Sequence, residues 1–209
     1  RRHTVSIVGE HIFRVRHCLI AHHDTKLSDI RKIISHPQAL AQCEAYIDKL
    51  GLEREPWYDA AGAVKSLRDE GHRARAAIAS RRAAEVYEMQ ILADGIEDVA
   101  TNYTRFLALA IQPEIPTSTS TKTSITFTLP QGGATPGSLF RAIGVFAMRD
   151  INLTKIESRP TPTETFNYIF YLDFQGSQDD TNCARALEHL REMAPDMRVL
   201  GAYTADNTV

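Results

Sequence analysis

The sequence has few cysteines, no long apolar run and almost no excess of charge of either sign. Its three cysteines, Cys18, Cys43 and Cys183, are widely spaced and form no C-x-x-C pair, which argues against a disulfide framework and favours a reducing, intracellular compartment. Apolar stretches such as LALAI at 107–111 are far shorter than the roughly 20 residues of a membrane-spanning helix. A formal charge of −2 over 209 residues predicts neither a nucleic acid nor a membrane as partner.

Several site motifs are also absent. The sequence contains no G-x-G-x-x-G, no G-x-x-x-x-G-K-[ST] and no G-x-S-x-G, which argues against common nucleotide sites and against an α/β-hydrolase nucleophile. His22 and His23 are adjacent rather than spaced as helical zinc ligands. We therefore expect no metal site.

Strand-like and helix-like runs alternate from residue 5 to 109, which predicts a layered α/β lobe. The predicted strands are TVSIVGE, FRVRHCLIAH, RKIIS, LEREPWY, RARAAIAS and YTRFLALA, and the predicted helices are QALAQCEAYIDKLG, DAAGAVKSLRDEG and SRRAAEVYEM. The predicted helix N-caps and glycine stops are Ser35, Asp59, Ser80, Gly51 and Gly71.

A segment rich in proline, serine and threonine, QPEIPTSTSTK, separates this lobe from the rest. It predicts a first domain at 1–112, a linker at 113–121 and a second domain at 122–209. The second domain reads strand, helix, strand, strand, helix, strand, which is the βαββαβ order of a ferredoxin-like sandwich. The side chains of its first helix that should face the sheet are Leu139, Ile143, Phe146 and Ala147.

SHPQALAQC places a hydroxyl, an imidazole and an amide at a helix start, on Ser35, His36 and Gln38. Free backbone N–H groups and the positive end of the helix dipole favour an anion such as a carboxylate there. The alternative is that Ser35 only caps the helix while the other two side chains are solvated.

NYTRF at 102–106 lies on a β-like run, so Thr104 and Phe106 should point to one face and Arg105 to the other. Arg105 could hold a substrate carboxylate through two hydrogen bonds, and Thr104 could assist a departing hydroxyl. The alternative is an ordinary sheet edge with an arginine reaching into solvent.

PGSLF at 136–140 and INLTKIESRP at 151–160 form a third candidate site. Gly137 lets backbone N–H groups approach a carboxylate, while Asn152 and Glu157 could receive an ammonium group. Together these groups would suit a free amino acid. The alternative is a helix cap followed by a plain strand edge.

Taken in order, SHPQALAQC, NYTRF, PGSLF and NLTKIESRP resemble the prephenate and arogenate dehydratase family over essentially the whole chain. TRFLALA and INLTKIESRP are most similar to its plant and algal branch. The resemblance implies a periplasmic-binding-protein-like α/β catalytic domain followed by a ferredoxin-like βαββαβ ACT domain. Since family members have about another lobe ahead of RRHTVSIVGE, the catalytic domain is expected to be N-terminally truncated here.

The resemblance implies a carbon–oxygen lyase of phenylalanine biosynthesis that needs no cofactor. It would decarboxylate and dehydrate arogenate to phenylalanine, or prephenate to phenylpyruvate. Thr104 would assist loss of the hydroxyl and Arg105 would orient a carboxylate. The residues expected to bind substrate are Ser35, His36, Gln38, Asn102 and Phe106. If the cleft lacks a wall, the alternative is a catalytically inactive, amino-acid-binding regulatory fragment.

The resemblance also implies that phenylalanine binds as an effector between paired ACT domains, so a homodimer or homotetramer is expected. GSLF stands where many relatives have a GALV-like stretch, and it keeps the glycine. The implied effector-binding residues are Gly137, Ser138, Leu139, Asn152, Leu153, Glu157, Ser158 and Arg159. Similarity to the plant branch implies the plastid stroma; the cytoplasm is the other expected location.

Overall fold

The computed structural model describes residues 5–111, 120–129, 135–161 and 167–208. The chain divides into two compact units, which we call the middle unit (Phe13–Thr104) and the terminal unit (Arg1–Ile12 together with Arg105–Val209). Most of the predicted linker lies outside the described residues. Residues up to Ile12 and from Arg105 to 111, all before the predicted boundary, thus belong to the same unit as the C-terminal half. The division into two family domains at residue 112 stays a prediction.

The middle unit contains a five-stranded mixed sheet with strand order β4-β3-β5-β2-β6. Strand β3 is parallel to β4 and β5, whereas β2 is antiparallel to β5 and β6. Its strands are β2 (Cys18–Ala21), β3 (Lys32–Ser35), β4 (Glu53–Pro56), β5 (Arg75–Ala79) and β6 (Gln90–Asp94). Its helices are α1 (Pro37–Gln42), α2 (Glu44–Leu50), α3 (Ala60–Glu70) and α4 (Arg81–Val86), with a 3-10 turn at Leu27–Asp29.

Local capping signals confirm most of the predicted helix ends. The carboxylate of Asp59 accepts a hydrogen bond from the Gly62 amide at 2.6 Å, and the Ser80 hydroxyl accepts one from Ala83 at 3.3 Å. Gly51 and Gly71 end α2 and α3 at φ values of 63° and 66°, a left-handed conformation that favours glycine.

Two local predictions were wrong, and one strand was not predicted. Ser35 does not cap a helix: it ends β3, is fully buried and donates to the Ile78 carbonyl at 2.5 Å, while His36 caps α1 instead. The single helix predicted from residue 38 to 51 is two helices, because Cys43 leaves helical geometry at φ −122° and ψ 25°. Strand β6 was not predicted, because it is short and pairs with β2, far away in sequence.

The terminal unit contains β1 (Ser6–Arg14, up to Ile12), β7 (Tyr103–Ala110, from Arg105), β8 (Lys122–Thr128), α5 (Ser138–Ala147), β9 (Leu153–Pro160), β10 (Tyr168–Gln175), α6 (Thr181–Met193) and β11 (Arg198–Tyr203). The last six elements confirm the βαββαβ order. Their sheet has the order β11-β8-β10-β9 with antiparallel neighbours, and β1 pairs with β7 in a separate ribbon.

Aromatic side chains fill the core between this sheet and its two helices. The rings of Phe127 and Phe170 stack with centroids 5.3 Å apart. The predicted inner face of α5 is confirmed for Phe146, which is buried, but Ala147 is exposed and Ala142 is buried instead. Leu139 and Ile143 pack against the core as predicted. None of the helices in the described part of the chain has the length and apolar character needed to cross a bilayer.

Gly201 allows a backbone contact inside the terminal unit. A Cβ atom at this position would lie 2.0 Å from the Ile7 carbonyl oxygen of β1. Gly201→Ala should therefore lower the free energy of unfolding by about 2 kcal/mol in urea titrations, since the neighbour is backbone and cannot rotate away. Gly144→Ala is the control: nothing lies within 4 Å of its added Cβ, and we expect a gain of up to about 1 kcal/mol. Equal effects of the two substitutions would contradict the packing argument.

Candidate functional site

Four residues of the NYTRF motif form the start of β7, and Asn102 directly precedes the strand. The boundary between the two units falls between Thr104 and Arg105. Thr104 is exposed, Phe106 is 56% exposed, and Arg105 between them is partly buried. The exposure of these three residues agrees with the predicted faces, although Tyr103 and Leu107 on the face of Arg105 are exposed as well.

The guanidinium group of Arg105 is held by three side chains of the terminal unit. Its Nε donates to Glu10 Oε2 at 2.6 Å, its Nη2 donates to the Tyr203 hydroxyl at 2.5 Å, and its Nη1 donates to Asp173. The Ser124 hydroxyl donates to Asp173 at 2.6 Å and lies 2.7 Å from the Tyr203 oxygen. Because Ser124 has a single proton, Tyr203 must be the donor to Ser124. Arg105, Tyr203, Ser124 and Asp173 therefore form a closed ring of hydrogen bonds, which we call the Arg105 ring.

Glu10 extends the Arg105 ring to a second cation. Its side chain is 0% exposed; one oxygen faces Arg105 and the other accepts from Lys122 and from the Asp206 amide at 3.1 Å. Burial by itself would raise the pKa of Glu10, but the Lys122 hydrogen bond, the Asp206 amide and both positive charges outweigh burial and lower it. Glu10 is therefore ionised at neutral pH.

Burial raises the pKa of Tyr203 to about 12, and the nearby Asp173 charge adds to this, against the opposing effect of the Ser124 hydrogen bond. The phenol therefore keeps its proton at neutral pH. This agrees with the donor role that the Arg105 ring requires of it.

Acid should weaken the terminal unit. The pKa of Glu10 is lowered, and a hydrogen bond from Thr208, with further amide contacts, lowers the pKa of Asp206 to about 2. A carboxyl group with a lower pKa in the folded state stabilises above its unfolded pKa and loses that contribution as pH falls through the folded pKa. The free energy of unfolding should therefore fall from about pH 4 towards pH 2. Urea midpoints at pH 5 and pH 3 test this, and Glu10→Gln should make the fall smaller; an unchanged fall in that variant would contradict the role of Glu10.

The middle unit has a cleft of about 480 Å³, and the residues that directly precede Thr104 in the sequence form part of its lining. Gln42, Glu97, Asp98 and Asn102 contribute to its lining. Glu97 accepts from the His17 amide at 2.9 Å, Asp98 accepts from the Ala45 amide at 3.2 Å, and Gln42 lies 2.8 Å from His17 Nε2. Side chains held in this way present fixed carboxylate and amide groups, and the volume suits a small metabolite.

The three residues of SHPQALAQC are in very different environments. The buried Ser35 hydroxyl already donates to Ile78, whereas His36 and Gln38 are exposed. The backbone N–H of Gln38 donates to His36 Nδ1 at 3.2 Å, so the imidazole of His36 caps the start of this helix. Binding of substrate by these residues stays a prediction.

The topology separates the predicted effector residues into two groups. Strands β8 and β9 are both antiparallel to β10 and so run in the same direction, with α5 returning between them. Gly137 at the start of α5 is therefore at the same end of the sheet as Ser158 and Arg159. Asn152 and Leu153 lie at the other end, a helix length of about 15 Å away.

Glu157 is bonded to neighbours on its own strand face. It accepts from Lys155 at 2.8 Å and from Arg159 at 2.6 Å, and these contacts, with Lys155 first, lower its pKa to about 2. The Arg159 guanidinium carbon also lies 5.8 Å from the centroid of the Tyr171 ring. Glu157 is therefore an anion with two cationic partners, and an effector ammonium would have to share it.

The sequence did not predict five residues that form or adjoin the Arg105 ring: Glu10, Lys122, Ser124, Asp173 and Tyr203. One signal was present. Asp173 interrupts the apolar run YIFYLDF, and a carboxylate in a core strand needs a partner. The pattern could not show that this partner is Arg105, 68 residues earlier. No group of three or more potential metal ligands occurs among the residues that the structure describes.

The two sheets define the class of protein: a periplasmic-binding-protein-like α/β lobe and a ferredoxin-like ACT unit. The family model for prephenate dehydratase matches residues 1–114. The chain therefore belongs to the prephenate dehydratase family.

Individual relatives agree with this assignment. The chain is 49% identical over 218 residues to arogenate dehydratase/prephenate dehydratase 2, chloroplastic, of Arabidopsis thaliana, covering 100% of the chain and 56% of that relative. Prephenate dehydratase from Arthrobacter aurescens, solved in complex with L-Phe, gives a TM-score of 0.85 at 30% identity, over 96% of the chain and 66% of that structure. GqqA, described as a novel type of quorum quenching acylase, gives 0.86 at 33% identity, over 97% and 73%. The chain thus spans only about half the length of its Arabidopsis relative.

Proposed function

We propose that this protein is an arogenate/prephenate dehydratase, a carbon–oxygen lyase of phenylalanine biosynthesis. The observation that supports it most is the family motif at Thr104. This residue directly follows, in the sequence, residues that line a cleft together with the carboxylates of Glu97 and Asp98. Arogenate and prephenate are small, polar acids that a cleft of this size would hold.

The proposed reaction needs one protein group to help a hydroxyl leave. The ring carboxylate departs as carbon dioxide, the electrons of the broken C–C bond complete the aromatic ring, and the C–O bond breaks. The hydroxide must gain a proton to leave as water, and we assign that assistance to Thr104, with no metal or cofactor. A threonine hydroxyl is a weak acid, so hydrogen bonding in a fixed position is its main contribution.

We propose arogenate as the preferred substrate. Arogenate has an ammonium group where prephenate has a keto group, and the carboxylates of Glu97 and Asp98 at the cleft would attract the ammonium. Asn102 and Phe106 would contact the ring part, with His36 and Gln38 as further polar contacts. The buried Ser35 would act by supporting that wall rather than by touching substrate.

Phenylalanine is the proposed effector of the terminal unit. Gly137, Ser138 and Leu139 would meet its carboxylate, together with Ser158 and Arg159, and Asn152, Leu153 and Glu157 would receive its ammonium group. Because one copy places Gly137 and Asn152 at opposite ends of the sheet, we propose that two copies pair to complete the site, in a homodimer or homotetramer. Sedimentation with and without phenylalanine tests this; a monomer that binds phenylalanine would contradict it.

The decisive assay measures phenylalanine formed from arogenate and phenylpyruvate formed from prephenate, using the longest form of the protein that the gene encodes. Turnover of arogenate with a higher kcat/KM than prephenate is expected. Loss of both activities in a folded protein would overturn the proposal. Since the Arabidopsis relative is named chloroplastic, we also propose the plastid stroma as location, which a fluorescent fusion would test.

A regulatory, amino-acid-binding protein without chemistry is the second candidate. It is favoured by the exposure of Thr104 and by the protein partners that already hold Arg105. It predicts saturable phenylalanine binding in calorimetry with no turnover of either substrate, so the same preparation distinguishes the two functions.

A further inference from the structure

Arg105 belongs to the catalytic motif by sequence but is held by the terminal unit. Its Nε, Nη1 and Nη2 groups donate to acceptors on β1, β10 and β11 respectively. A guanidinium group is a rigid planar fork, so three directed hydrogen bonds fix both its position and its orientation. One peptide bond separates this anchored residue from Thr104.

The Arg105 ring is also connected to the strand that carries predicted effector residues. Asp173 of β10 is paired with Ser124 of β8 and with Lys155 of β9, and the Thr154 hydroxyl donates to its carbonyl at 3.4 Å. The β9–β10 register shifts between Asp173 and Phe174. Such an irregularity locally re-aims side chains. A small movement of β9 along β10 would therefore change where the Asp173 carboxylate points.

We infer that Arg105 and its partners Asp173 and Tyr203 form a positioning device that sets the place of Thr104 and couples it to phenylalanine bound at β9. Arg105 then acts through geometry instead of gripping the substrate carboxylate. The inference rests on the proposed function and deepens it, since it identifies how the terminal unit reaches the reaction.

The hydrogen bonding of the device makes it sensitive to small changes. Arg105 donates to Tyr203, Tyr203 donates to Ser124 and Ser124 donates to Asp173, while Arg105 also donates to Asp173 directly. Loss of one hydroxyl therefore leaves a neighbour unsatisfied. Asp173 is 5% exposed and Tyr203 is 2% exposed, so water cannot easily replace a lost partner. A buried network of this kind has few alternative arrangements.

The test compares Asp173→Asn and Tyr203→Phe with wild type in kinetics and calorimetry. Both variants should lower kcat by about tenfold or more with KM unchanged within twofold, since neither residue is proposed to touch substrate. Phenylalanine should still bind with a wild-type Kd, but its effect on kcat, of either sign, should be reduced at saturation. A merely structural role would not separate binding from response in this way.

Matched controls are Asp179→Asn and Tyr168→Phe, which change exposed residues of the same unit and should behave as wild type. If Asp173→Asn does not fold, Tyr203→Phe, which removes one hydroxyl, is sufficient for the test.

A folded variant with the wild-type kcat and the wild-type response of kcat to phenylalanine overturns the inference while leaving the proposed function intact. A rise in KM alone also overturns it, because the Arg105 ring would then contribute to substrate binding instead of to the position of Thr104 in the reaction. Absence of turnover in the wild type overturns both proposals.

Discussion

Replacing Thr104 by valine should lower kcat for arogenate by about 10³-fold, in the range expected for loss of a group that assists proton transfer. Valine keeps the β-branched shape that suits strand β7 and removes only the hydroxyl. A 10³-fold loss corresponds to about 4 kcal/mol of transition-state stabilisation. The measurement is steady-state production of phenylalanine, with phenylpyruvate from prephenate as the second assay.

Thr104→Ser is the matched control, because it restores a hydroxyl and should recover most of the turnover. Thr104 is exposed, so neither substitution should change the free energy of unfolding by more than about 0.5 kcal/mol. Phenylalanine binding should also be unaffected. Turnover by Thr104→Val within tenfold of the wild type would remove Thr104 from its proposed role.

Replacing Glu10 by glutamine should lower the free energy of unfolding by about 3 kcal/mol, the lower end for breaking a buried ion pair. The Glu10 carboxylate has no exposed surface, and it neutralises both Arg105 and Lys122. Glutamine keeps the shape but leaves these two cations without their shared anion. The loss should be at the lower end because Arg105 is 26% exposed and water can partly solvate it.

Urea or guanidinium titration at pH 7 measures the effect of Glu10→Gln. Glu188→Gln, on the exposed side of α6, is the control and should stay within about 0.5 kcal/mol of wild type. A loss below 1 kcal/mol for Glu10→Gln would show that Arg105 and Lys122 find other partners. The two variants carry the same chemical change, so their difference reports the buried environment alone.

The Glu10 and Asp173 substitutions also separate stability from catalysis. If Glu10→Gln lowers kcat beyond its effect on the folded population, the anchoring of β7 contributes to turnover. If it lowers stability alone, the contribution of the terminal unit to catalysis is confined to Asp173 and Tyr203. Both results are obtained from the same preparations.

Local sequence signals predicted the elements that depend on neighbours in the chain. The caps at Asp59 and Ser80 and the left-handed glycines Gly51 and Gly71 involve contacts within one helical turn, and all four were confirmed. The βαββαβ order was confirmed as well. Prediction failed for Ser35 and for β6 because a distant strand decided the outcome: the Ser35 hydroxyl donates to Ile78 on the adjacent strand β5, and β6 pairs with β2.

The sequence by itself determined the family, through four motifs in a fixed order, and the position of Thr104 in a strand. Tertiary structure alone decided what Arg105 contacts, since Glu10, Asp173 and Tyr203 lie 95, 68 and 98 residues away in the chain. Strand alternation shows that Arg105 and Thr104 face opposite ways, but it carries no information about partners at such separations. These contacts arise only when the terminal unit folds and brings β10 and β11 beside Glu10 and Arg105, because buried charges must then find partners.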